Sequence, residues 1–308
     1  MADLENTLHV LMSVDCESTQ SHVDDAALGE RATAGFAEVV ESFGWKGTFY
    51  VIPPDAEAHA GLYRKLGGAG HELALHVHPA EQGYEEFLGI YDADTQAEIL
   101  NAATDRAGVA FGERPVSVSI GYASTNDFTM TALEVAALRQ GMVSIPSRVL
   151  PECASVHAGA PLDMYFGHRY NRVLVGDVDF VSIPNTLDPD SRMWGGKHPQ
   201  DLRVELVDAK NHWYTIDKAV TRQVKAGVKV KYVQAVTHNI FEFGVKGDFR
   251  RDTLSGICGH IKAIAEKRGL TIKPVTVAEA AAIYREATPR GSNASHLTLD
   301  RRGYAAAK

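Results

Sequence analysis

Ionisable side chains follow apolar runs at three places in the chain. The run from Leu8 to Val14 leads straight into Asp15, Cys16 and Glu17. A second, from Glu72 to Val77, carries His76 and is followed by His78 and Pro79. A third, from Val230 to Thr237, ends at His238 and Asn239. Taken singly, each group has an ordinary explanation: carboxylates cap turns and helices, and a histidine closing a strand can simply hydrogen-bond there. Taken together, they make a set with chemistry. Side chains two residues apart on an extended chain project to the same side, so His76 and His78 can reach one cation. Two neutral imidazoles and a carboxylate form a common zinc or iron ligand set that leaves positions open for water.

The elements that must position these residues follow from hydrophobic periodicity. Residues 8–14, 48–52, 72–77, 115–120, 142–145, 180–183, 229–237 and 270–275 read as strands. Apolar residues recur at helical spacing over 32–43, 62–66, 94–108, 130–140, 215–225, 254–265 and 277–286. Gly44 stops the first of these helices, and Asp94 or Thr95 starts the third. Alternating strands and helices predict a parallel sheet. Seven or eight strands in this length suit an α/β fold of the distorted (β/α) barrel kind. Residues 1–287 are expected to form one barrel, with 288–308 as a polar tail. Working residues of such barrels sit at the C-terminal ends of the strands, which is where all three groups lie. The irregular stretch 146–201 is expected to shape the pocket, because long loops in compact domains usually carry function.

Composition narrows the partners. The 308 residues carry a formal net charge of -8, from 31 basic and 39 acidic side chains. A mildly acidic chain argues against nucleic acid or an anionic membrane as main partner. The three cysteines, Cys16, Cys153 and Cys258, are odd in number and far apart, which suits a reducing compartment better than a disulfide framework. The acidic N-terminus lacks a secretory pattern, and no run approaches the roughly 18 apolar residues of a membrane span. A cytoplasmic protein is expected. The sequence leaves a homo-oligomer open.

In order and spacing these segments resemble the polysaccharide deacetylases of carbohydrate esterase family 4, the NodB homology domain. The resemblance runs from about Leu8 to Glu286. Val14-Asp15-Cys16-Glu17 is similar to the family's first motif in a VDxE form. Gly47-Thr48-Phe49-Tyr50-Val51 is similar to its second-strand segment. Gly70-His71-Glu72 through His76-Val77-His78-Pro79 resembles its metal motif. Pro115 to Gly121 stands at the place of its PxSFRAG segment, Thr237-His238 resembles its last histidine motif, and Val275 to Glu279 its closing segment.

The resemblance implies Asp15 as catalytic base, His238 as general acid, and His76, His78 and Glu17 as ligands of a divalent metal. Zinc is the first expectation; cobalt, manganese, nickel or iron could take its place. Cys16 stands where many members carry a second aspartate, so Cys16, Asp15 and Glu17 all stay open as third ligand. Asp190 to Trp194 fits the DxxxW pattern that orients the histidine in the family. Ser119 stands where the family's arginine braces the aspartate; Arg148, Arg169 or Arg172 could replace it. Tyr122, Arg169 and Trp194 are candidate substrate-binding residues, suited to sugar stacking and hydrogen bonding. The activity implied is removal of an acyl group, by expectation N-acetyl, from a carbohydrate or related amide, with a small molecule or oligosaccharide as partner. Two other readings stand beside it. One is a sugar-binding barrel that has lost the chemistry. The other is a cupin-like metal protein, since Gly70, His76, His78 and Glu81 approximate the first motif of that all-β fold.

Overall fold

The structure, a computed structural model, describes residues 4–20 and 22–295. The chain opens with β1 (Thr7–Cys16), α1 (Ala26–Ser42), β2 (Gly47–Val51), α2 (Pro53–Ala58), α3 (Ala60–Gly68) and β3 (Glu72–Val77). There follow α4 (Ala93–Phe111), β4 (Ser117–Ile120), α5 (Thr129–Val135) and β5 (Gln140–Met142). The middle stretch holds the short strands β6 (Val149–Leu150), β7 (Ser155–Val156), β8 (Tyr165–Phe166), β9 (Val181–Ser182), β10 (Leu187–Met193) and β11 (His198–Asp201). Then come α6 (Ala209–Lys225), β12 (Lys231–His238), α7 (Phe249–Lys267), β13 (Thr271–Pro274) and α8 (Val277–Ala287).

Nine strands form one sheet in the order β12-β1-β2-β3-β4-β5-β9-β8, with β13 beside the start of β1. All pairings in it are parallel except β8 with β9. The open side is bridged by irregular chain. Ile183 N donates to Gly141 O on β5 at 2.9 Å, and three residues on Thr186 N donates to Gln234 O on β12 at 3.2 Å. The chain therefore has an α/β fold whose mostly parallel sheet curls into a barrel-like trough. A cupin is ruled out, because a jelly roll has neither parallel strands nor these crossover helices.

β1 shows why the apolar runs are continuous. Its ten residues are all buried, as expected for a parallel strand covered on both faces. Leu8, Val10, Met12, Val14 and Cys16 face outward into the large core beneath the helices. There they meet the stripe Ala32, Phe36, Val39 and Val40 of α1, and Phe36 packs edge-on against Phe49 at 5.6 Å. Leu11 faces inward with Tyr50, Ala74, Phe166 and Tyr232. The same inward parity carries Asp15.

α8 closes one end. Its Val277, Ala280, Ala281 and Tyr284 join the inner core. Thr276 and Glu279 form a capping box at its start. Val277 N donates to Thr48 Oγ1, and Ala278 N to Glu72 Oε2. Thr48 and Glu72 begin β2 and β3, so α8 plugs the N-terminal end and leaves the C-terminal end open.

Several local expectations shift. α4 is capped by Asp92, whose Oδ1 accepts from Thr95 N, and not by Asp94 or Thr95. The helix expected over 130–140 ends at Val135, and Gln140 already belongs to β5. Of the expected tail, residues 296–308 lie outside the described residues; before them, Ser295 N donates to Val175 O at 2.8 Å. No helix among the described residues is long and apolar enough to cross a membrane.

Candidate active site

The open end holds a cavity of about 280 Å³. Asp15, Glu17, His76, His78 and His238 all line it. The register explains how. Asp15 sits opposite His238 on β12 and opposite Tyr50 on β2. Glu17 lies two residues beyond Asp15 and His78 two beyond His76, so each pair keeps one direction. Asn239, just past β12, ties the rim together: its backbone N–H donates to Asp15 O at 2.9 Å, and its Oδ1 accepts from Glu17 N at 2.7 Å.

Three donor atoms converge. Glu17 Oε2 lies 3.2 Å from His76 Nε2 and 3.0 Å from His78 Nε2, and the two Nε2 atoms are 3.0 Å apart. The opposite ring nitrogens are already engaged: His76 Nδ1 with Ser119 O at 3.1 Å, and His78 Nδ1 with Glu86 Oε1. Donation from each Nδ1–H leaves the Nε2 lone pairs facing Glu17, the arrangement metal-ligating histidines adopt. Tetrahedral bonds of about 2.0–2.2 Å put such atoms roughly 3.3–3.6 Å apart, a few tenths of an ångström wider than here. The donor set fits a divalent ion, and Glu17, His76 and His78 are the one group of this kind among the described residues.

The electrostatics agree. Burial opposes charge on Glu17, yet hydrogen bonds to His76 and His78 hold it well below the usual carboxylate range. Burial also pulls His78 down, but Glu17 and Glu86 lift it to about 10. Two imidazoles and a carboxylate this close would otherwise share protons; a cation can replace those protons.

Asp15 differs from Glu17. Its Oδ2 lies 3.9 Å from both His76 Nε2 and His238 Nε2, while its buried Oδ1 has no hydrogen-bond partner. Burial raises its pKa. His238 is held at its other nitrogen, Nδ1, by Glu205 Oε1 at 2.7 Å, and Glu205 is steadied by Thr237 Oγ1 at 2.9 Å. Burial pulls His238 down, but the charge of Glu205 and its hydrogen bond raise it to about 9. Asp15 thus turns Oδ2 towards the His238 imidazole and keeps Oδ1 without a partner.

Glycine at position 121 belongs to this geometry. A Cβ there would stand 2.5 Å from His78 Cε1, so only glycine lets β4 pass this close to the ring. Tyr122, next in the chain, lines the cavity, with its ring 5.7 Å from that of His78.

Other expectations need correction. Trp194 does not line the cavity; it is 46% exposed and stacks on His198 at 4.4 Å. Asp190 pairs with Lys218 on the surface, so the DxxxW pattern does not orient His238, and Glu205 does. Arg169 is half-exposed and pairs with Glu134 outside the cavity. Cys16 faces the outer core, and burial pushes its thiol well up; the parity of β1 that points Asp15 inward points Cys16 away from the histidines. Nor does Arg148, Arg169 or Arg172 contact Asp15. The charges that favour the ionised form of Asp15 are those of His76 and His238 and, among the arginines, Arg203, which also attracts Glu17 and Glu205.

Three working neighbours thus escaped the sequence reading: Glu86, Arg203 and Glu205. Glu86 is eight residues past His78 in a loop without period. Arg203 and Glu205 follow β11, where Val204 N donates to Val236 O at 3.0 Å and runs the chain beside β12. The alternation of Arg203, Val204 and Glu205, polar–apolar–polar, was the available signal.

Solved structures share this architecture. The chain is similar to a Mycobacterium smegmatis protein assigned as a polysaccharide deacetylase, with a TM-score of 0.64 at 16% identity over 96% of this chain and 97% of that one. It is similar to the PuuE allantoinase, with a TM-score of 0.62 at 12% identity over 92% of each chain. A Parabacteroides distasonis protein assigned as a glycoside hydrolase/deacetylase gives 0.67 at 12% identity, over 94% of this chain and 74% of that one. No family model and no curated protein matches the sequence. The fold is the NodB-like fold of the polysaccharide deacetylases.

Proposed function

We propose that the chain is a metal-dependent hydrolase that removes an acyl group, N-acetyl in the first instance, from a carbohydrate or a related amide. One observation carries this reading. Around one cavity, a carboxylate with a free oxygen, Asp15, stands between the donor set Glu17–His76–His78 and the imidazole of His238.

Glu17, His76 and His78 would hold the ion, zinc in the first instance. A bound divalent ion supplies Lewis acidity to a carbonyl oxygen and lowers the pKa of water from about 16 towards 7. The protein's own groups then divide the proton work. Asp15 is the base: its Oδ1 is unoccupied, and a carboxylate raised by burial holds a proton better than a free one. His238 is the acid: Glu205 keeps its Nε2 protonated near neutral pH, ready for the leaving nitrogen. An amide nitrogen leaves poorly unless protonated, and each such transfer is typically worth about 10²- to 10⁴-fold. Arg203 supports Asp15, taking up the charge role that Ser119 cannot.

The neighbours' names fit an acyl compound as target. One neighbour is named a polysaccharide deacetylase, the removal of an acetyl group from a sugar polymer, and another an allantoinase. The test is metal analysis of the purified protein, then an acetate-release screen over small acetylated sugars with the metal removed and restored. Turnover that follows metal content, lost together with metal affinity in Glu17→Ala, is the expected result. Metal binding without turnover on any acyl amide would instead favour the sugar-binding barrel.

A further inference from the structure

The cavity wall also carries a guanidinium that no carboxylate among the described residues pairs with. Arg148 lines the cavity and is 3% exposed. Its Nη1 donates to Tyr122 O at 2.6 Å, and its buried Nε has no partner. No carboxylate among the described residues forms an ion pair with it. Its charged neighbours at longer range are Arg203, which repels it, and Asp201, which attracts it. Asp201 is already committed, with Oδ2 at 3.3 Å from His198 Nε2 and 3.6 Å from Arg203 Nη2. The two arginines also lie over one ring: each guanidinium carbon is 5.8 Å from the centroid of Trp194.

One hydrogen bond to a carbonyl does not offset the burial of a cation. Buried charges are paired in folded proteins, and an unpaired one is costly. Arg203 has its explanation in Asp201, Glu205 and Asp15. Arg148 has no carboxylate of its own among the described residues: Asp201 acts on it only at longer range. Simple support of the Tyr122 carbonyl would need only a neutral donor. The missing partner must be an anion, and it must come from the cavity, because that is the space Arg148 lines.

We propose that Arg148 binds an oxyanion of the substrate, so that the hydrolase acts on an acyl compound carrying a carboxylate or phosphate group. This rests on the hydrolytic reading above, which supplies the acyl group, and adds the second recognition point. Tyr122 connects the two. Its ring meets His78 beside the donor set, and its carbonyl holds Arg148. A cavity of about 280 Å³ is at the small end for ligand sites. The anion and the acyl group therefore belong to one small molecule or one terminal unit. Arginine is suited to the task, since its planar fork meets carboxylate and phosphate oxygens with two parallel N–H donors.

The first arm of the test needs no turnover and no knowledge of the scaffold. Metal-free protein is melted in chloride, acetate and phosphate at equal ionic strength, as wild type and as Arg148→Gln. Glutamine keeps an N–H for the Tyr122 carbonyl and removes the charge. Acetate or phosphate at ten times its Kd should shift the unfolding equilibrium of the wild type about 11-fold, and Arg148→Gln should lose that increment. Which anion acts distinguishes a carboxylate from a phosphate site. Identical melting in all three salts would overturn the proposal, and so would an increment retained in Arg148→Gln. Should Arg148→Gln melt too low to compare, Arg148→Lys must retain the increment.

The second arm is calorimetric titration of N-acetylglucosamine against its 6-phosphate and its uronic acid. A preference of tenfold or more for a charged member, abolished in Arg148→Gln, is a further expected result. These are binding readouts, so a protein that holds anions through Arg148 but releases no acetate would sink the hydrolytic reading alone.

Discussion

Two carboxylates, Asp15 buried and Glu72 half-buried, stand at opposite ends of the same trough. Glu72 lies at the closed end, where its oxygens accept from Ser117 Oγ, from Thr48 Oγ1 at 3.0 Å and from Ala278 N at 2.9 Å. Asp15 lies at the open end, where Oδ1 accepts nothing and Oδ2 only faces imidazoles at 3.9 Å. Burial raises the pKa of both. The difference is saturation. Around Glu72 three donors from β2, β4 and α8 converge on β3, so its carboxylate is part of the scaffold. Around Asp15 the protein withholds donors, and an unsatisfied buried acceptor is tolerated where a ligand or reaction will use it. The same residue class therefore reads as architecture at one end and as chemistry at the other.

Exchanging the two roles is the sharpest test of that contrast. Asp15→Asn should lower hydrolysis by about 10²- to 10⁴-fold or more while leaving the melting temperature and much of the metal affinity in place. Glu72→Ala should do the reverse. Leaving Ser117, Thr48 and the Ala278 N–H without their acceptor costs about 1–3 kcal/mol for each group left buried and unpaired, and the folded fraction should keep its turnover per bound metal. Urea denaturation beside acetate release measures both quantities. If Asp15→Asn loses metal while Glu17→Ala keeps it, the base and ligand assignments must be exchanged.

A smaller effect probes how closely the open end is built. Gly121→Ala places a methyl 2.5 Å from the His78 ring and should turn the ring off Glu17. Displacing what orients a metal-ligating histidine typically costs about 10- to 100-fold in metal affinity. Gly61→Ala, at a helical glycine with open space around its Cβ position, is the control and should leave affinity unchanged. Metal titration with a competing chelator reads both. Undiminished affinity in Gly121→Ala would mean that His78 is dispensable as a ligand.

The two ends also differ in how far sequence revealed them. Asp15 with Glu17 and His76 with His78 were legible because spacing of two on an extended chain fixes direction, and parallel order brings strand ends to one rim. The barrel-like α/β fold was legible for a related reason: strands buried on both faces, such as β1, read as unbroken apolar runs. What escaped depends on chain that obeys no period. Glu205 reaches His238 from irregular chain that runs beside β12 only in three dimensions. The Asp190–Trp194 pattern misled because both residues lie at a solvent-facing ribbon, where Asp190 meets Lys218. Arg148 drew notice as a possible brace for Asp15, yet only burial and the absence of a counter-charge reveal its actual peculiarity.

The smallest expected change, a titration shift, tests whether the charge of Glu205 prepares His238. In the metal-free protein burial pulls this histidine down and Glu205 lifts it to about 9. A folded pKa above the unfolded value of about 6.5 means that the pair stabilises the fold fully below pH 6.5 and that this stability is lost as pH rises through 9. Glu205→Gln keeps a carbonyl acceptor for Nδ1, turns its NH2 to the Thr237 hydroxyl, which can accept from it, and removes the charge. The His238 signal, assigned by its absence in His238→Ala and followed by NMR in metal-free protein, should then titrate nearer 6.5. Under the proposed role of His238 as leaving-group acid, the alkaline limb of amide hydrolysis should move down in the same direction. Activated esters, whose leaving groups need little protonation, should respond less. An unmoved titration in Glu205→Gln would assign the shift to the other carboxylates near this ring, Glu17 and Asp15. It would leave Glu205 as a positioning residue that aims Nε2 at the cavity without setting its charge.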